Sequence, residues 1–589
     1  MKARLAAFRN ELIRMKLDGF IVPRQDEFQG EYVAAYAERL KWICGFSGSW
    51  GSAVVGRRSA AIFVDGRYTV QVKQQVDLKV FSYQHLLRSP PAEWIASNFS
   101  KGARIGYDPR ILAIADARRY RKVLEKAGIA MVPASYNPVD KLWADQPERP
   151  AGPVVAQPLR FTGATSAQKL SAIRKELKAK GADAVLLADP TSVAWAFNMR
   201  GNDVPHTPVA LTYALIPTSG KAQIFIAAKR LSQELAKTMR SLATCDTDVD
   251  GALKALGKRK ARVMLDSVTA PDHARLLVEK SGGKIVDGID PCLFPKAIKS
   301  KAEQQGARDA QVRDGAALSN FLCWLERAAA SGKITEGAAA RHLLAERQKL
   351  KGFRDLSFET ISAAGPHSAL PHYHAHGEGT ILKKDSIYLI DSGGQFPDGT
   401  TDVTRTVIVG KPSADMRDRF TRVLKGMIAI SAIRFPEGTT GAHLDVLARA
   451  ALWKAGLDFD HGTGHGIGAY LSVHEGPQRI SKTAQTVLQP GMIISNEPGY
   501  YKEGHYGIRI ENLLLVSPPD KRKSDDRAML GFETLTFAPI DRRLIETQLL
   551  TREELQWLDA YHADVWRKLN TLVSASTRNW LKRACASLN

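Results

Sequence analysis

Five side chains able to ligate a metal, Asp391, Asp402, His465, Glu497 and Glu511, are strung along the last third of this 589-residue chain. Their segments read IDSGGQF, TTDVTRT, HGTGHGIG, SNEPGYY and IRIENLLLV. A fold that gathers them sets four carboxylates around one imidazole. Without cations such a cluster repels itself and resists ionisation, whereas two divalent ions turn it into a stable anionic cage. The chain must therefore bring distant strand-like segments to one point, and the five residues read as one dinuclear metal site.

Strand chemistry indicates how the segments meet. SIYLIDSGGQF and TTDVTRTVIV flank the turn residues Pro397-Asp398-Gly399-Thr400, so a hairpin is expected. A hairpin symmetric about that turn does not set Asp391 directly opposite Asp402, which calls for an asymmetric loop or a bulge using Gly393 and Gly394. Glu497 and Glu511 are equidistant from Gly504 in the turn Lys502-Glu503-Gly504-His505 and can face each other across a second hairpin. Arg509, two residues before Glu511, shares its strand face and can hold a carboxylate in place. Glycines on both sides of His465 let backbone approach a metal or substrate. One imidazole with four carboxylates is a hard, oxygen-rich set; it suits manganese, cobalt or iron and differs from thiolate-rich structural zinc sites.

So long a chain exceeds what one hydrophobic core serves, and the usual domain size implies roughly three or four units. Five prolines between Tyr136 and Phe161 read as an extended interdomain linker. Before it, a helical pattern leads to GFIVP, then WICGFSGSWGSAVV and AAIFVDGRY. After it, Thr165 or Ser166 can cap a helix carrying Leu170, Ile173 and Leu177, followed by DAVLLAD, AWAFNMRGNDVP, ALTYALIP and AQIFIAA. The same order of elements occurs twice, which implies a duplicated α/β domain. The second copy closes near Cys292 to Ile298, and a long helical segment containing FLCWLERAAA opens the rest. Trp557, Tyr561, Val565 and Leu569 recur at a helical interval, as in a closing helix packed on a domain surface.

Composition narrows the class. Apolar residues at 44% and charged residues at 24% are an ordinary globular balance. The sequence contains no apolar run long enough to span a bilayer, and Met1 to Leu17 alternates charges with Leu5, Phe8, Leu12 and Met15, unlike a signal peptide or anchor. Five scattered cysteines argue against a disulfide framework and for a reducing cytoplasm. The net charge of +22 is spread along the chain, which reads as a basic solvated surface with no nucleic-acid partner.

The five ligand segments, together with FVDGRY, NMRGNDVP and YHADVW, resemble the pita-bread metallopeptidases, and among them the three-domain aminopeptidases P. The resemblance implies two creatinase-like N-terminal α/β domains, residues 1–150 and 151–300. An α+β pita-bread catalytic domain with a C-terminal helical extension follows, residues 301–589. It makes Asp391 a chelating ligand of one ion, Asp402 and Glu511 bridges between two, and His465 and Glu497 ligands of the other. Manganese is the ion it favours, with cobalt, iron and zinc left open. A water or hydroxide held between the ions would attack the scissile bond, with Glu497 shuttling the proton to the departing amine.

Nine of the fourteen histidines fall between His367 and His505, an enrichment that asks for an active-site explanation. By resemblance His474 donates to the developing oxyanion while His372 and His461 position the substrate. His367, His374, His376, His443 and His505 receive no role. Arg509 stands behind the ligands or touches substrate, and Arg200 and Asp203 are either structural or face the substrate. The implied reaction removes the N-terminal residue from peptides with proline second, a bond that ordinary peptidases handle badly because proline lacks an amide hydrogen. A prolidase-type dipeptidase is the rival reading, and a non-catalytic pita-bread binding protein is a third. The family further implies a homodimer.

Overall fold

Apolar runs such as GFIVP, SAVVG, AAIFV and AVLL form central strands of two six-stranded sheets, flanked by more polar edge strands such as SYQH and KIVD. The computed structural model describes residues 1–375 and 377–588. The chain divides into two units, residues 1–158 with 164–293 and residues 159–163 with 294–589. In the first unit, one sheet comprises β1 (Gly19–Pro23), β2 (Ser52–Gly56), β3 (Ala60–Val64), β4 (Ser82–His85), β5 (Arg104–Tyr107) and β6 (Ala130–Pro133), in spatial order β4-β3-β2-β1-β5-β6. The other comprises β7 (Ala184–Leu187), β8 (Ala214–Pro217), β9 (Ala222–Phe225), β10 (Ala243–Asp246), β11 (Arg262–Leu265) and β12 (Lys284–Asp287), in the order β10-β9-β8-β7-β11-β12.

Each strand of the second sheet repeats the place of its counterpart in the first. In both, the two hairpin steps are antiparallel and the three remaining steps parallel. The duplication read from the order of elements is therefore present in topology. The helix Ser166–Ala179 opens on Thr165, in a capping box with Gln168, and buries Leu170, Ile173 and Leu177. The proline-rich segment departs from the extended linker expected of it. Pro138–Leu142 is helical, Val139 enters the first domain's core, and Trp143 stacks on Trp42 with centroids 6.1 Å apart. Further on, Val155–Ala156 pairs with Met199–Arg200. Proline at a helix start favours the helix.

The second unit is built on the helix Lys301–Ala328, which opens with a capping box between Ser300 and Glu303. Its Asp314 forks with the buried Arg347 (2.7 and 2.9 Å) and accepts a hydrogen bond from Thr401 Oγ1 (3.0 Å), tying the helix to the segment that carries Asp402. The strands are β13 (Asp355–Leu356), β14 (Ile361–Ala364), β15 (Ser386–Ser392), β16 (Gly394–Phe396), β17 (Gly399–Thr400) and β18 (Val403–Val409). There follow β19 (Gly464–Gly466), β20 (Glu475–Ile480), β21 (Ile493–Asn496), β22 (Gly499–Lys502), β23 (Tyr506–Arg509), β24 (Asn512–Val516) and β25 (Phe532–Thr534). They form the sheets β14-β15-β18 and β20-β19-β21-β24-β25, the trio β13-β16-β17 and the ribbon β22-β23.

The closing helix Arg552–Leu569 buries Tyr561, Val565 and Leu569, and Trp557 stacks on Tyr561 with centroids 5.4 Å apart. Tyr561 OH accepts from Arg405 Nη2 (2.7 Å) while Arg405 Nη1 donates to the Glu511 carbonyl (2.6 Å), so this helix reaches the back of the site through one buried guanidinium. Among the described residues no helix is long and apolar enough to cross a membrane. All five cysteines are free thiols.

Candidate metal centre

The first hairpin sets Asp391 opposite Thr404 and Ser392 opposite Val403 in β15 and β18. After a break at Gly393 and Asp402 the ladder resumes as β16 and β17, with Gln395 opposite Thr400 and Phe396 opposite Gly399. The register is the same on both sides of the break, which corrects the bulge expected at Gly393 and Gly394. Asp391 and Asp402 instead approach along the diagonal of one strand face, close enough for the Asp391 charge to oppose ionisation of Asp402. Gly393 allows the pinch at the break, because a Cβ there would lie 1.9 Å from the Thr401 carbonyl oxygen.

In the second hairpin Gly499 pairs with Arg509 on the turn side and Asn496 with Asn512 on the other. Glu497 and Glu511 thus face each other, as the symmetry about Gly504 predicts. The Glu511 N–H donates to Thr404 O (3.2 Å) and the Glu497 N–H to Thr463 O (2.8 Å), so this hairpin is stitched to both other ligand segments.

His465 sits on β19. Its Nδ1 lies 3.0 Å from the Gly466 carbonyl, which can only accept, so Nδ1 donates there and Nε2 is the ring atom turned to the carboxylates. That Nε2 lies 3.2 Å from Glu497 Oε1 and 3.6 Å from Asp402 Oδ2. Ligand atoms of Asp402, His465 and Glu511 all lie within 4.8 Å of one another.

Electrostatics mark the cluster. Burial, then the charge of neighbouring carboxylates, pushes Asp402 and Glu511 well above the usual carboxylate range. Burial also raises Asp391, with Arg509 opposing it. Burial works against Glu497 too, but the hydrogen bond and charge of His465 prevail and hold it down at about 2. Asp391 Oδ1 and Glu511 Oε1 are buried without a hydrogen-bond partner. Orphaned carboxylate oxygens beside the Nε2 of an imidazole whose Nδ1 is already engaged fit hard divalent cations, which would remove both the repulsion and the desolvation cost.

Arg509 is 3% exposed and forks three ways. It donates to Asp391 Oδ2 (2.6 Å), Thr404 Oγ1 (3.2 Å) and Tyr501 OH (2.8 Å). Tyr501 OH lies 2.8 Å from His461 Nε2, and His461 Nδ1 lies 2.7 Å from Gly462 O. Both ring nitrogens of His461 are thereby engaged, and desolvation pushes its pKa down to about 4. The His474 ring meets that of His465 edge to face, with centroids 4.3 Å apart. His372 stands half-buried in the turn after the short helix Gly365–Ala369, whose Ser368 Oγ accepts from the Gly507 N–H of β23 (2.8 Å).

The remaining histidines have local partners. His367 Nδ1 lies 2.9 Å from Glu336 Oε1 and its ring stacks on Tyr373. His374 Nδ1 lies 3.3 Å from Glu359, His443 completes the capping box of Thr440, and His505 is exposed in the turn. His376 lies outside the described residues. In the first unit, Asp203 is forked by Arg230 (2.7 Å to each oxygen), and Arg200 Nη1 donates to the carbonyls of Met199 (2.9 Å) and Ala194 (3.3 Å), contacts that a structural role explains.

Sequence reasoning missed Thr404, Ser495 and Tyr501. Thr404 Oγ1 donates to Glu511 Oε2 (2.8 Å) and Ser495 Oγ to Glu497 Oε1 (3.1 Å). Each lies an even number of residues from a ligand on its own segment, so strand alternation alone could have singled them out.

Comparison with known proteins adds the family. Residues 305–518 match the model of metallopeptidase family M24 and 528–588 that of the C-terminal region of peptidase M24. Residues 4–142 and 145–303 each match a creatinase/prolidase N-terminal domain. A probable Xaa-Pro aminopeptidase P of Paracoccidioides brasiliensis is 39% identical over 604 residues, spanning 98% of both chains. The chain belongs to the aminopeptidase P family of M24 metallopeptidases. Its likeness to that family is end to end: a further probable Xaa-Pro aminopeptidase P, from Laccaria bicolor, is 39% identical over 99% of this chain and 93% of its own. The crystal structure of the X-prolyl aminopeptidase of Caenorhabditis elegans, described as a cytosolic enzyme with a di-nuclear active site, superposes with a TM-score of 0.94. It is 33% identical and covers 100% of this chain and 99% of its own. A prolidase structure from Pyrococcus horikoshii, 26% identical with a TM-score of 0.50, covers only 63% of this aminopeptidase P family member and 99% of its own chain.

Proposed function

We propose that this chain is a metal-dependent Xaa-Pro aminopeptidase that releases the first residue of peptides whose second residue is proline. The observation that carries the reading is end-to-end likeness to an X-prolyl aminopeptidase, where prolidase leaves more than a third of the chain unmatched. We place the domain limits at residues 1–150, 151–300 and 301–589.

Asp391, Asp402, His465, Glu497 and Glu511 would hold two divalent ions. Manganese is our assignment, supported by the hard donor set. When bound, the ions supply an acidified water as nucleophile and polarise the scissile carbonyl. The chain's own groups do the rest. Glu497 accepts the proton of the attacking water and returns it to the proline nitrogen as the bond breaks. His474 donates a hydrogen bond to the carbonyl oxygen as charge develops on it. His372 and His461 position the peptide; with both nitrogens of His461 engaged, it acts through its ring and through Tyr501. Arg509 keeps Asp391 oriented. A homodimer is the assembly we propose, and a cytosolic setting is supported by free cysteines and by the C. elegans enzyme described as cytosolic.

A peptide panel tests the reading. Arg-Pro-Pro should be cleaved after arginine with high kcat/KM, Arg-Pro much less well, and Arg-Ala-Pro poorly, since the proline pocket discriminates by a few kcal/mol of contact, on the order of a hundredfold in rate. Preference for Arg-Pro would make the chain a prolidase. Release of arginine irrespective of the next residue would make it a general aminopeptidase.

A further inference from the structure

The residue after His474 is a glutamate that points away from solvent into a pair of lysines. Glu475 is 3% exposed, Lys296 3% and Lys299 2%. Lys299 Nζ donates to Glu475 Oε1 and to the Lys296 carbonyl (2.7 Å), and Lys296 Nζ lies 3.9 Å from Glu475 Oε2. The lysines are themselves pinned, because the Lys299 N–H donates to Gly491 O (2.9 Å) and Ile298 bridges to Met492.

On the backbone side Glu475 pairs with Gly466, at the point where the register of β19 against β20 shifts between His465 and Gly466. A Cβ on Gly466 would lie 2.4 Å from the Glu475 carbonyl oxygen. One residue therefore ties the backbone beside His465 to a buried cationic anchor, and its direct neighbour is His474, whose ring rests against that of His465.

Stability alone does not account for such an anchor. Removing a carboxylate and two ammonium groups from water costs several kcal/mol per ion, and well-packed apolar residues would often serve stability equally well. What a buried, hydrogen-bonded ion cluster gives is a single geometry. At an active site, a displacement of about 1 Å can cost on the order of a hundredfold in rate. We propose that Glu475, held by Lys299 and Lys296, is a positioning residue that sets the His474 ring toward the reacting carbonyl; this rests on the oxyanion role given above to His474.

The test is a double-mutant cycle on the manganese-loaded protein with Arg-Pro-Pro. It compares wild type, Glu475→Gln, Lys299→Met, His474→Ala and the two doubles that combine either change with His474→Ala. Glu475→Gln and Lys299→Met should each lower kcat about tenfold to a hundredfold, with KM and metal content unchanged. In the His474→Ala background the same changes should cost nothing further, because the group they position is gone. Losses that multiply in that background, or an unchanged kcat per metal-loaded chain, overturn the proposal. Should Glu475→Gln fail to fold, Lys299→Met alone decides by the same criterion. A wild type that leaves Arg-Pro-Pro intact sinks the peptidase reading itself, whereas an active wild type with an additive cycle sinks only the positioning role.

Discussion

Arg509→Met removes a buried guanidinium whose shortest bond, 2.6 Å, goes to Asp391 Oδ2. A charge-assisted hydrogen bond to a buried carboxylate contributes about 1.5–3 kcal/mol. Asp391 Oδ1 already lacks a hydrogen-bond partner, and the substitution removes the bond that orients Oδ2. It also removes the charge that opposes burial in setting the Asp391 pKa, and a proton then competes better with a metal. A loss of about 1.4–2.8 kcal/mol is a tenfold to hundredfold weakening, the range in which groups supporting a metal ligand act. The manganese concentration for half-maximal activity should rise by that factor, while kcat at saturating manganese falls less. Arg509→Lys keeps the charge but offers a point donor where a three-way fork stood, and should fall between the two. The assay is activity on Arg-Pro-Pro against free manganese, with metal content measured in parallel. An unchanged manganese dependence with a raised KM would refute the reasoning and make Arg509 a substrate contact.

Asp402→Ala and Glu511→Ala should lower metal occupancy, whereas His474→Ala should leave metal bound and slow turnover by roughly a hundredfold to a thousandfold; metal analysis beside kcat separates them, and a joint fall of metal and turnover in all three contradicts the division. His562 supplies a pH prediction: fully buried, it accepts the Ile540 N–H at Nε2 (3.1 Å), and desolvation pushes its pKa down to about 4. The unfolded chain takes up this proton near pH 6.5 and the folded one only near 4, so its stabilisation is full above about pH 6.5 and falls by roughly 3 kcal/mol between there and pH 4. Urea midpoints at pH 7 and 4.5 should show that His562→Gln loses stability less steeply than wild type, and parallel losses would contradict the assignment.

The two kinds of hairpin show what was legible. Glu497 and Glu511 could be paired from sequence because turn and ladder share one centre at Gly504, and the ladder keeps that register past the break. For Asp391 and Asp402 direct opposition is the wrong criterion, since a metal cluster needs only a shared face, which the diagonal satisfies. The repeated order of elements disclosed two α/β domains, but strand order within each sheet depends on crossovers that no local pattern encodes. Pro138 reads as a linker residue in sequence, yet at a helix start proline is at home, and Val139 beside it is core. The contacts of Glu475 with Lys296 and Lys299 join residues far apart in sequence, and neither lysine carries any periodic or turn signal.

Metal stoichiometry read together with activity tests the central claim most directly. Protein stripped with a chelator and titrated with manganese should regain cleavage of Arg-Pro-Pro after arginine, reaching its plateau at about two ions per chain. Full activity without metal, or a folded chain that binds none, would contradict the account.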